Sequence, residues 1–405
     1  MIRALIIALF VLNSVYGFFK LHLATSDTNR PLPDNVKDVY DEKRYNLYKA
    51  YKKESGKVEL ASSIVSFIIN LIFLVFNVYA TIFNWFKGMN IYLQYLCLTA
   101  VIELFTTIIK TPFSYYDTFT IEEKYGMNKT TKGTFFADKI KSFILGIFLS
   151  MLITSIMIFF FTRFGIQAII WTAVVIVVLS LLLSTLVVPL MKIFNKFTPL
   201  ADGELKDKLL ALCDKYHVQV KKIVIKDASR RTTKSNAFCT GLKKKTISID
   251  DNLLNNFTTD EIVAVFAHEF AHAKYKHVLK TLPFSLIRSV LVIVLFGLVL
   301  SVKDFFTPFG FAEANYYFAM VVLDALIWPF SNLTNTAFNY LSRKHEYQAD
   351  AFAAKEGYGE ALISALKRLV NESLSEINPH PWIVKTEYSH PTLSQRITAV
   401  RANEK

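Results

Sequence analysis

The chain has 405 residues, of which 53% are hydrophobic and only 13 are glycine, a composition that excludes collagen-like and disordered proteins. A formal charge of +13 raises the question of a nucleic-acid partner, but the basic residues are scattered between apolar blocks and form no aromatic-basic reading motif. The three cysteines lie far apart and form no CxxC pair, which argues against a disulfide framework and a thiolate metal site. We therefore expect no nucleic-acid partner, and any metal would be bound by histidines and carboxylates.

Seven apolar blocks are long enough to cross a hydrocarbon core about 30 Å thick. In chain order they occupy residues 4–19, 58–86, 91–109, 143–161, 167–191, 282–302 and 316–341. The first block has an alternative interpretation as a signal peptide, but no clear small-x-small cleavage motif follows it. We therefore predict a first helix there and seven spans in total.

The segments between the apolar blocks alternate strongly in charge. Long segments rich in Lys and Arg occupy residues 20–57, 110–141, 192–281 and the tail from 342. Short segments around Lys87 and Arg163, and residues 303–315, carry few basic residues. Seven crossings place every basic segment on one side, which the positive-inside rule assigns to the cytosol. The sequence therefore predicts a multi-pass membrane protein that starts outside and ends inside.

Two acidic residues, Glu103 and Asp324, fall within the predicted spans. A charged group in lipid costs several kcal/mol, so these side chains are expected to face a wet or protein-lined interior rather than acyl chains. Hydrogen bonding between neighbouring helices is the alternative, and the sequence leaves both open.

The segment 192–281 has the pattern of a small α+β unit. Residues 204–216 have the apolar spacing of an amphipathic helix, and the runs "KKIVIKD", "SNAFCTG" and "KKTISID" indicate a small sheet. Thr258 and Glu261 form a predicted capping box that opens the next helix. That helix is expected to end near Lys280, where Pro283 limits its continuation.

His268 and His272 are four residues apart on this predicted helix, in "HEFAH". Their imidazoles therefore project from one face and can share a metal ion, while Glu269 lies close enough to take a proton from a water molecule at the metal. That these are ordinary surface or core residues is the weaker interpretation, because only 8 histidines occur in the chain. His277 falls roughly 140° around the same helix and is predicted not to be a ligand.

A catalytic zinc keeps three protein ligands and one open position, so a third ligand is needed. The best candidate lies in the helical stretch "SRKHEYQADAFAAKEG", where Glu346 and Asp350 share one face. A solvated acidic face is the alternative. The orphan histidine pair on the same side of the membrane favours Glu346 as the ligand, with Asp350 orienting a ligand histidine or handling a proton.

The pattern HExxH followed by ExxxD, with seven spans, resembles the type I CAAX prenyl endopeptidases, which are integral-membrane gluzincin zinc metalloproteases. Further stretches resemble that family's motifs in its order: "PFSYYDTFTIEEKYGMNKTT", "SNAFCTG", "EYQAD" and "SHPTLSQRI". The resemblance implies seven helices forming a barrel around a large water-filled chamber, with a small α+β cytosolic zinc-protease layer. It also implies one zinc ion per chain, bound by His268, His272 and Glu346, with Glu269 activating water.

The resemblance extends to residues whose types alone would not suggest a role. Asp350 matches a residue that the family assigns as proton donor or as an aspartate behind the ligands, and the ligand-orienting role is physically sounder. His390 matches a histidine that steadies the oxyanion. Arg396 is expected to pair with Asp350 or Glu346.

An edge strand that pairs with the substrate backbone is also implied by the resemblance. The matching residues are Asn236, Ala237 and Phe238 in "SNAFCTG", and a peptide would bind there by strand addition.

Four parts of the chain follow from these assignments. They are 1–191 with five transmembrane helices and cytosolic loops, 192–281 with the cytosolic α+β segment and HExxH helix, 282–341 with the last two helices, and 342–405 with the cytosolic third ligand. The membrane would be the cytoplasmic membrane in a prokaryote and the endoplasmic reticulum membrane in a eukaryote.

The function implied is removal of the C-terminal AAX tripeptide from prenylated CAAX proteins or peptides, with membrane lipid as the other partner. The short 303–315 connection and the Phe and Ala inside "HEFAH" depart from better-known members and leave a broad-specificity quality-control protease open. Two weaker alternatives are an intramembrane site-2-type protease, disfavoured by the lysine-flanked motif helix, and a channel or transporter with a structural zinc.

Overall fold

The computed structural model describes residues 1–26, 30–241 and 244–404, except for the side chains at 166, 180, 181 and 183–185. Helices dominate this part of the chain. They are α1 (Ile2–Ser26), α2 (Glu42–Val75), α3 (Val78–Trp85), α4 (Ile91–Tyr116), α5 (Lys132–Phe164), α6 (Ala168–Met191), α7 (Glu204–Lys215), α8 (Asp251–Asn256), α9 (Thr259–Lys274), α10 (His277–Ser301), α11 (Tyr316–Ala353), α12 (Gly359–Glu372), α13 (Pro381–Thr386) and α14 (Leu393–Asn403).

Six helical stretches in the described residues are long and apolar enough to cross a membrane. They contain α1, α2, α4, α5, α10 and α11, and they match six of the seven predicted spans. The remaining predicted span, 167–191, lies on α6, where Ala168–Leu179 forms a shorter apolar helix among the described side chains. The predicted multi-pass membrane architecture is therefore confirmed.

The predicted span 58–86 is wrong as one continuous helix. Helix α2 ends at Val75, and Asn77 adopts a left-handed backbone with φ of 57° before α3 begins at Val78. Asparagine tolerates this conformation better than other residues with a side chain beyond Cβ. Residues 58–75 already span about 27 Å at about 1.5 Å per residue, which suffices for the crossing.

A four-stranded sheet lies between α6 and α9 in the chain. Its strands are β1 (Phe197–Pro199), β2 (Val220–Lys226), β3 (Ala237–Thr240) and β4 (Lys245–Asp250), in the order β1-β2-β4-β3 within the described residues. β2 and β4 are parallel, whereas β1 and β3 pair antiparallel to their neighbours. β3 is therefore an edge strand, and it packs beside α9.

Buried apolar side chains in the described residues form two separate clusters. One surrounds α9 and draws on the sheet, α12 and α14. The other joins α1, α3, α4 and the first turns of α11, at the end of the spans away from the sheet. Along α11 the predicted interior residue Asp324 is exposed, although its neighbours Leu323 and Ala325 are buried. The helices are thus packed firmly at one end, and the sheet layer has its own core at the other.

Helix α9 begins with the predicted capping box. The Thr258 hydroxyl accepts a hydrogen bond from the Glu261 backbone N–H, and the Glu261 carboxylate accepts one from the Thr258 N–H at 2.9 Å. Glu261 is buried and also accepts hydrogen bonds from Ser364 at 2.6 Å and Arg368 at 2.7 Å. The start of α9 is therefore tied to α12.

The substitution Thr258→Ala is expected to destabilise the protein by about 1 kcal/mol, because it leaves the N–H of Glu261 without its cap. The measurement is the midpoint of urea unfolding of the detergent-purified protein. Thr259→Ala removes the same atoms one residue beyond the cap and should stay within about 0.5 kcal/mol of the parent. Equal midpoints for the two variants would contradict the capping role.

Candidate metal centre

Three side chains from two helices converge on one point. His268 and His272 on α9 place their Nε2 atoms 3.2 Å apart. The Glu346 carboxylate on α11 lies 3.3 Å from each of these nitrogens, through Oε2 to His268 and through Oε1 to His272. Within the described residues these three form a group whose ligand atoms all lie within 4.8 Å of one another. The structure thus brings together the three predicted ligands.

Small residues allow the two helices to approach this closely. Ala267 and Ala271 on α9 and Ala349 and Ala353 on α11 are all fully buried. Short side chains at a helix–helix contact let the backbones pack closely. Because i and i+4 positions share a helix face, the histidine pair of α9 turns towards Glu346 of α11.

Asp350 and Arg396 hold the ring of His268 in place. His268 Nδ1 donates a hydrogen bond to Asp350 Oδ1 over 2.8 Å. Arg396 of α14 donates to both oxygens of Asp350, at 2.6 Å from Nη2 and 2.9 Å from Nε. The Asp350 side chain is fully buried, so this ion pair is shielded from water. Of the two predicted partners of Arg396, the structure shows a bidentate pair with Asp350.

The donor set fits a divalent cation. Because His268 Nδ1 donates to Asp350, its Nε2 carries a lone pair that faces Glu346 once the ring is neutral. Glu346 Oε2 is buried and makes no hydrogen bond among the described residues. Two lone pairs and a carboxylate that face each other repel unless a cation lies between them. Imidazole nitrogens with a carboxylate are a ligand set that suits zinc.

The electrostatics of the metal-free site show the same demand for positive charge. Burial and the Arg396 guanidinium lower the pKa of His268, but the hydrogen bond to Asp350 and the nearby carboxylate of Glu346 outweigh them and raise it to about 9. Burial and the neighbouring charge on His268 lower the pKa of His272 to about 4. Burial would raise the pKa of Glu346, but its contacts with His268 and His390 lower it to about 2. In the metal-free protein the proton on His268 thus supplies the positive charge that a metal ion would bring.

Glu269 lies beside the three converging groups and not among them. Burial raises the pKa of its carboxyl, and the negative charge of Glu346 adds to this shift. The side chain lines a cavity of about 180 Å³ together with Asn236, His390 and Arg396. A carboxylate with a raised pKa that faces a cavity is suited to accept and return a proton.

His390 and the predicted substrate strand border the same site. His390 Nε2 lies 3.5 Å from Glu346 Oε1, and the side chain is 64% exposed. Asn236 is exposed at the start of β3, and Ala237 and Phe238 are the first two residues of that edge strand. Asn236, Ala237, His268, Glu269 and His390 therefore line the same cavity of about 180 Å³.

His277 does not lie where the helical extrapolation placed it. Helix α9 was expected to end near Lys280, but it ends at Lys274, and Lys276 adopts a left-handed backbone with φ of 56°. Helix α10 then begins at His277 and continues through Pro283. The 140° prediction assumed one helix and was wrong, because the turn at Lys276 brings His277 Nδ1 to 2.9 Å from His272 Nδ1. The sequence feature that indicates this contact is a further histidine, five residues after the second histidine of HExxH.

Comparisons with known proteins identify the family of this chain. Residues 199–404 match the model of peptidase family M48, and residues 21–196 match a model described as CAAX prenyl protease N-terminal, five membrane helices. CAAX prenyl protease 1 of Saccharomyces cerevisiae is 30% identical over 95% of this chain and 91% of its own length. The homologue from Arabidopsis thaliana is 32% identical over 92% and 91%. The crystal structure of S. mikatae Ste24p matches with a TM-score of 0.91 and 30% identity, covering 98% of each chain.

These matches define a membrane-embedded metallopeptidase with a helical membrane part and a small α+β layer. The chain belongs to peptidase family M48. The predicted fold class and the predicted enzyme class are confirmed. The motif helix α9 is not one of the six apolar helices among the described residues, so the site-2-type arrangement does not apply.

Binding of zinc to the metal-free protein is expected to release about one proton per ion at pH 7.5, because His268 has a pKa of about 9 and must lose its proton to bind metal. The pKa is raised, so zinc affinity should increase with pH up to about 9 and then level off. Calorimetry in buffers of different ionisation enthalpy measures the release. Asp350→Asn removes a charge that raises this pKa and should release less. Heats independent of the buffer would contradict the assignment.

Proposed function

We propose that the protein is a zinc metalloendopeptidase that removes the C-terminal AAX tripeptide from prenylated CAAX proteins or peptides. The observation that carries the proposal is the convergence of His268, His272 and Glu346 within 4.8 Å, with Glu269 beside them. The printed names of the relatives, CAAX prenyl protease 1 and its homologues, support the substrate class.

In the proposed mechanism the two histidines and Glu346 would hold one zinc ion. When bound, zinc polarises the scissile carbonyl and acidifies water. Glu269 takes the proton from the attacking water and returns it to the leaving amine. The burial that raises the pKa of Glu269 helps it to hold that proton between the two steps. His390 donates a hydrogen bond to the oxyanion, and Asp350 keeps the ring of His268 oriented through the 2.8 Å contact.

The substrate peptide is proposed to add to the outer edge of β3, the last strand of the sheet in the described residues. The backbone of Ala237 would pair with it, flanked by the side chains of Asn236 and Phe238, because the hydrogen bond from the Asp250 N–H to the Asn236 carbonyl sets a register that turns the backbone groups of Phe238 towards β4. A cavity of about 600 Å³ lies at one end of β3, against Thr240 and His272. The cavity of about 180 Å³ lies at the other end and has apolar walls. The residues of those walls include Leu253, Val265, Leu362, Leu366 and Leu369. An extended peptide would pass the metal between the two cavities with an aliphatic side chain in the smaller one.

The charge pattern supports a cytosolic position for this chemistry. We propose that 1–191 and 282–341 form the membrane part, and that 192–281 and 342–405 form the catalytic layer on the cytosolic face. In a eukaryotic cell that face belongs to the endoplasmic reticulum membrane. Both macromolecular substrate and lipid would then meet the enzyme at the same surface.

Replacement of Glu269 by Gln is expected to lower kcat by at least about 10²-fold, because the amide cannot accept the proton. Zinc content should remain one ion per chain, since Glu269 is not among the converging ligand atoms. Single-turnover cleavage of a farnesylated peptide and metal analysis of the same sample are the measurements. Retained cleavage would assign the base to another residue. Loss of zinc from the variant would make Glu269 a ligand.

A panel of three peptides tests the substrate class. The purified protein is incubated with a farnesylated CAAX peptide, its unprenylated twin and an unrelated unfolded peptide, with and without a chelator. We expect chelator-sensitive cleavage of the farnesylated peptide, with the cut directly after the modified cysteine. Equal cleavage of all three would remove the CAAX assignment and favour the broad-specificity protease. No cleavage by fully zinc-loaded protein would contradict the peptidase mechanism itself.

A further inference from the structure

We propose that His277 is a positioning residue that fixes the tautomer of the metal ligand His272, with Gln348 as the final hydrogen-bond acceptor. This inference rests on the proposed zinc site. It concerns a histidine that the mechanism above does not use. A chain of hydrogen-bond contacts joins three side chains, from His272 through His277 to Gln348, and we call these three side chains the relay.

The relay is held by two hydrogen-bond contacts and by ring stacking. His277 Nδ1 lies 2.9 Å from His272 Nδ1, and His277 Nε2 lies 2.9 Å from Gln348 Oε1. His277 is only 3% exposed. The ring of His345 stacks on it at 4.1 Å with an angle of 7° between the planes. The orientation of the His277 ring is therefore fixed by contacts on its face and at both nitrogens.

The chemistry of these atoms leaves one assignment of protons. An amide oxygen only accepts, so His277 Nε2 carries the proton that is donated to Gln348. In a neutral imidazole the other nitrogen is then an acceptor, so His277 Nδ1 accepts from His272 Nδ1. His272 Nε2 is left with its lone pair, 3.3 Å from Glu346. The reverse assignment would put a proton where the metal must bind.

The geometry of α11 explains why a second histidine is needed. Asp350 lies four residues after Glu346, on the same helix face, and reaches His268 directly. Gln348 lies two residues after Glu346, about 200° around the helix, and points away from the metal. His277 bridges that gap. The five residues 346–350 thus supply the carboxylate ligand and the two hydrogen-bond acceptors that fix the tautomers of both ligand histidines, Asp350 directly and Gln348 through His277.

A matched pair of substitutions at one position tests the relay. His277→Phe keeps a flat ring against His345 but has no acceptor, and the zinc dissociation constant is expected to rise about 10- to 100-fold. His277→Asn places an amide oxygen near the position of Nδ1 and should restore affinity to within about threefold of the parent. His345→Phe, which keeps the stacked ring, is the control and should leave the affinity unchanged.

The readouts are zinc competition against a chromogenic chelator and the visible absorption of the Co²⁺-substituted protein, which reports ligand geometry. A merely structural role would lower the thermal midpoint of the metal-free protein in both His277 variants without separating their affinities. Equal affinities for the Phe and Asn variants, whether both weak or both parental, would overturn the proposal.

A second substitution applies if His277→Phe does not fold. Gln348 is exposed, and Gln348→Lys offers a donor where the relay needs an acceptor. Gln348→Lys should therefore bind zinc more weakly than the parent. The loss should persist in 1 M salt, where the Debye length is about 3 Å and the added charge is screened. An unchanged affinity would overturn the relay. Failure of the proposed function is distinguishable, because the relay stands if these affinities separate while no peptide of the panel is cleaved.

Discussion

The close contact between α9 and α11 is the constraint on which the rest of the site depends. Four fully buried alanines let the two backbones approach, and the helix periods then bring two imidazoles opposite a buried carboxylate. Groups of this kind repel one another unless a proton or a cation lies between them. The fold therefore builds a site that requires a positive charge, which a proton supplies in the metal-free protein and a metal ion would supply in its place, and the surrounding core keeps the groups together.

The two ligand histidines have different kinds of hydrogen-bond partner, one charged and one neutral. His268 is held by a buried carboxylate that is itself paired with Arg396, so its environment is strongly charged. His272 is held by a neutral contact to another histidine. The contacts with Asp350 and Glu346 raise the pKa of His268 to about 9, whereas burial and the charge on His268 lower the pKa of His272 to about 4. Only one of the two ligand histidines must lose a proton before metal binds.

Much of the fold was predictable from patterns of short range. The i, i+4 spacing of His268 and His272, the capping box at Thr258 and the apolar blocks all follow from helix geometry, and the structure confirms the elements. The meeting of Glu346 with the histidines is a long-range contact, which helix geometry does not give. The need for a third ligand and the charge pattern, which placed both segments on one side of the membrane, already favoured Glu346, and the family motifs agreed. The chemical roles of Asp350, His390 and the β3 residues remain predictions.

The errors in prediction have a common physical cause. Asn77 and Lys276 both adopt left-handed backbone conformations, which residues other than glycine rarely do, and each one ends a helix that the apolar or helical pattern would continue. Hydrophobic periodicity does not indicate where such a turn occurs. The first divided the span 58–86, and the second moved His277 from the far side of α9 to a contact with His272.

Helix α11 runs without interruption from Tyr316 to Ala353, a length of about 57 Å at about 1.5 Å per residue. Its first part is apolar enough to cross a bilayer, and its last turns carry Glu346 and Asp350. The two histidines stand on α9, which lies outside the apolar helices among the described residues. A hydrophobic stretch longer than the local bilayer thickness is accommodated by tilting, among other responses. Because the last turns of α11 pack with α9 in one buried cluster, a change of tilt would carry all three ligands together, so the membrane would set the height and orientation of the metal site and not its internal geometry.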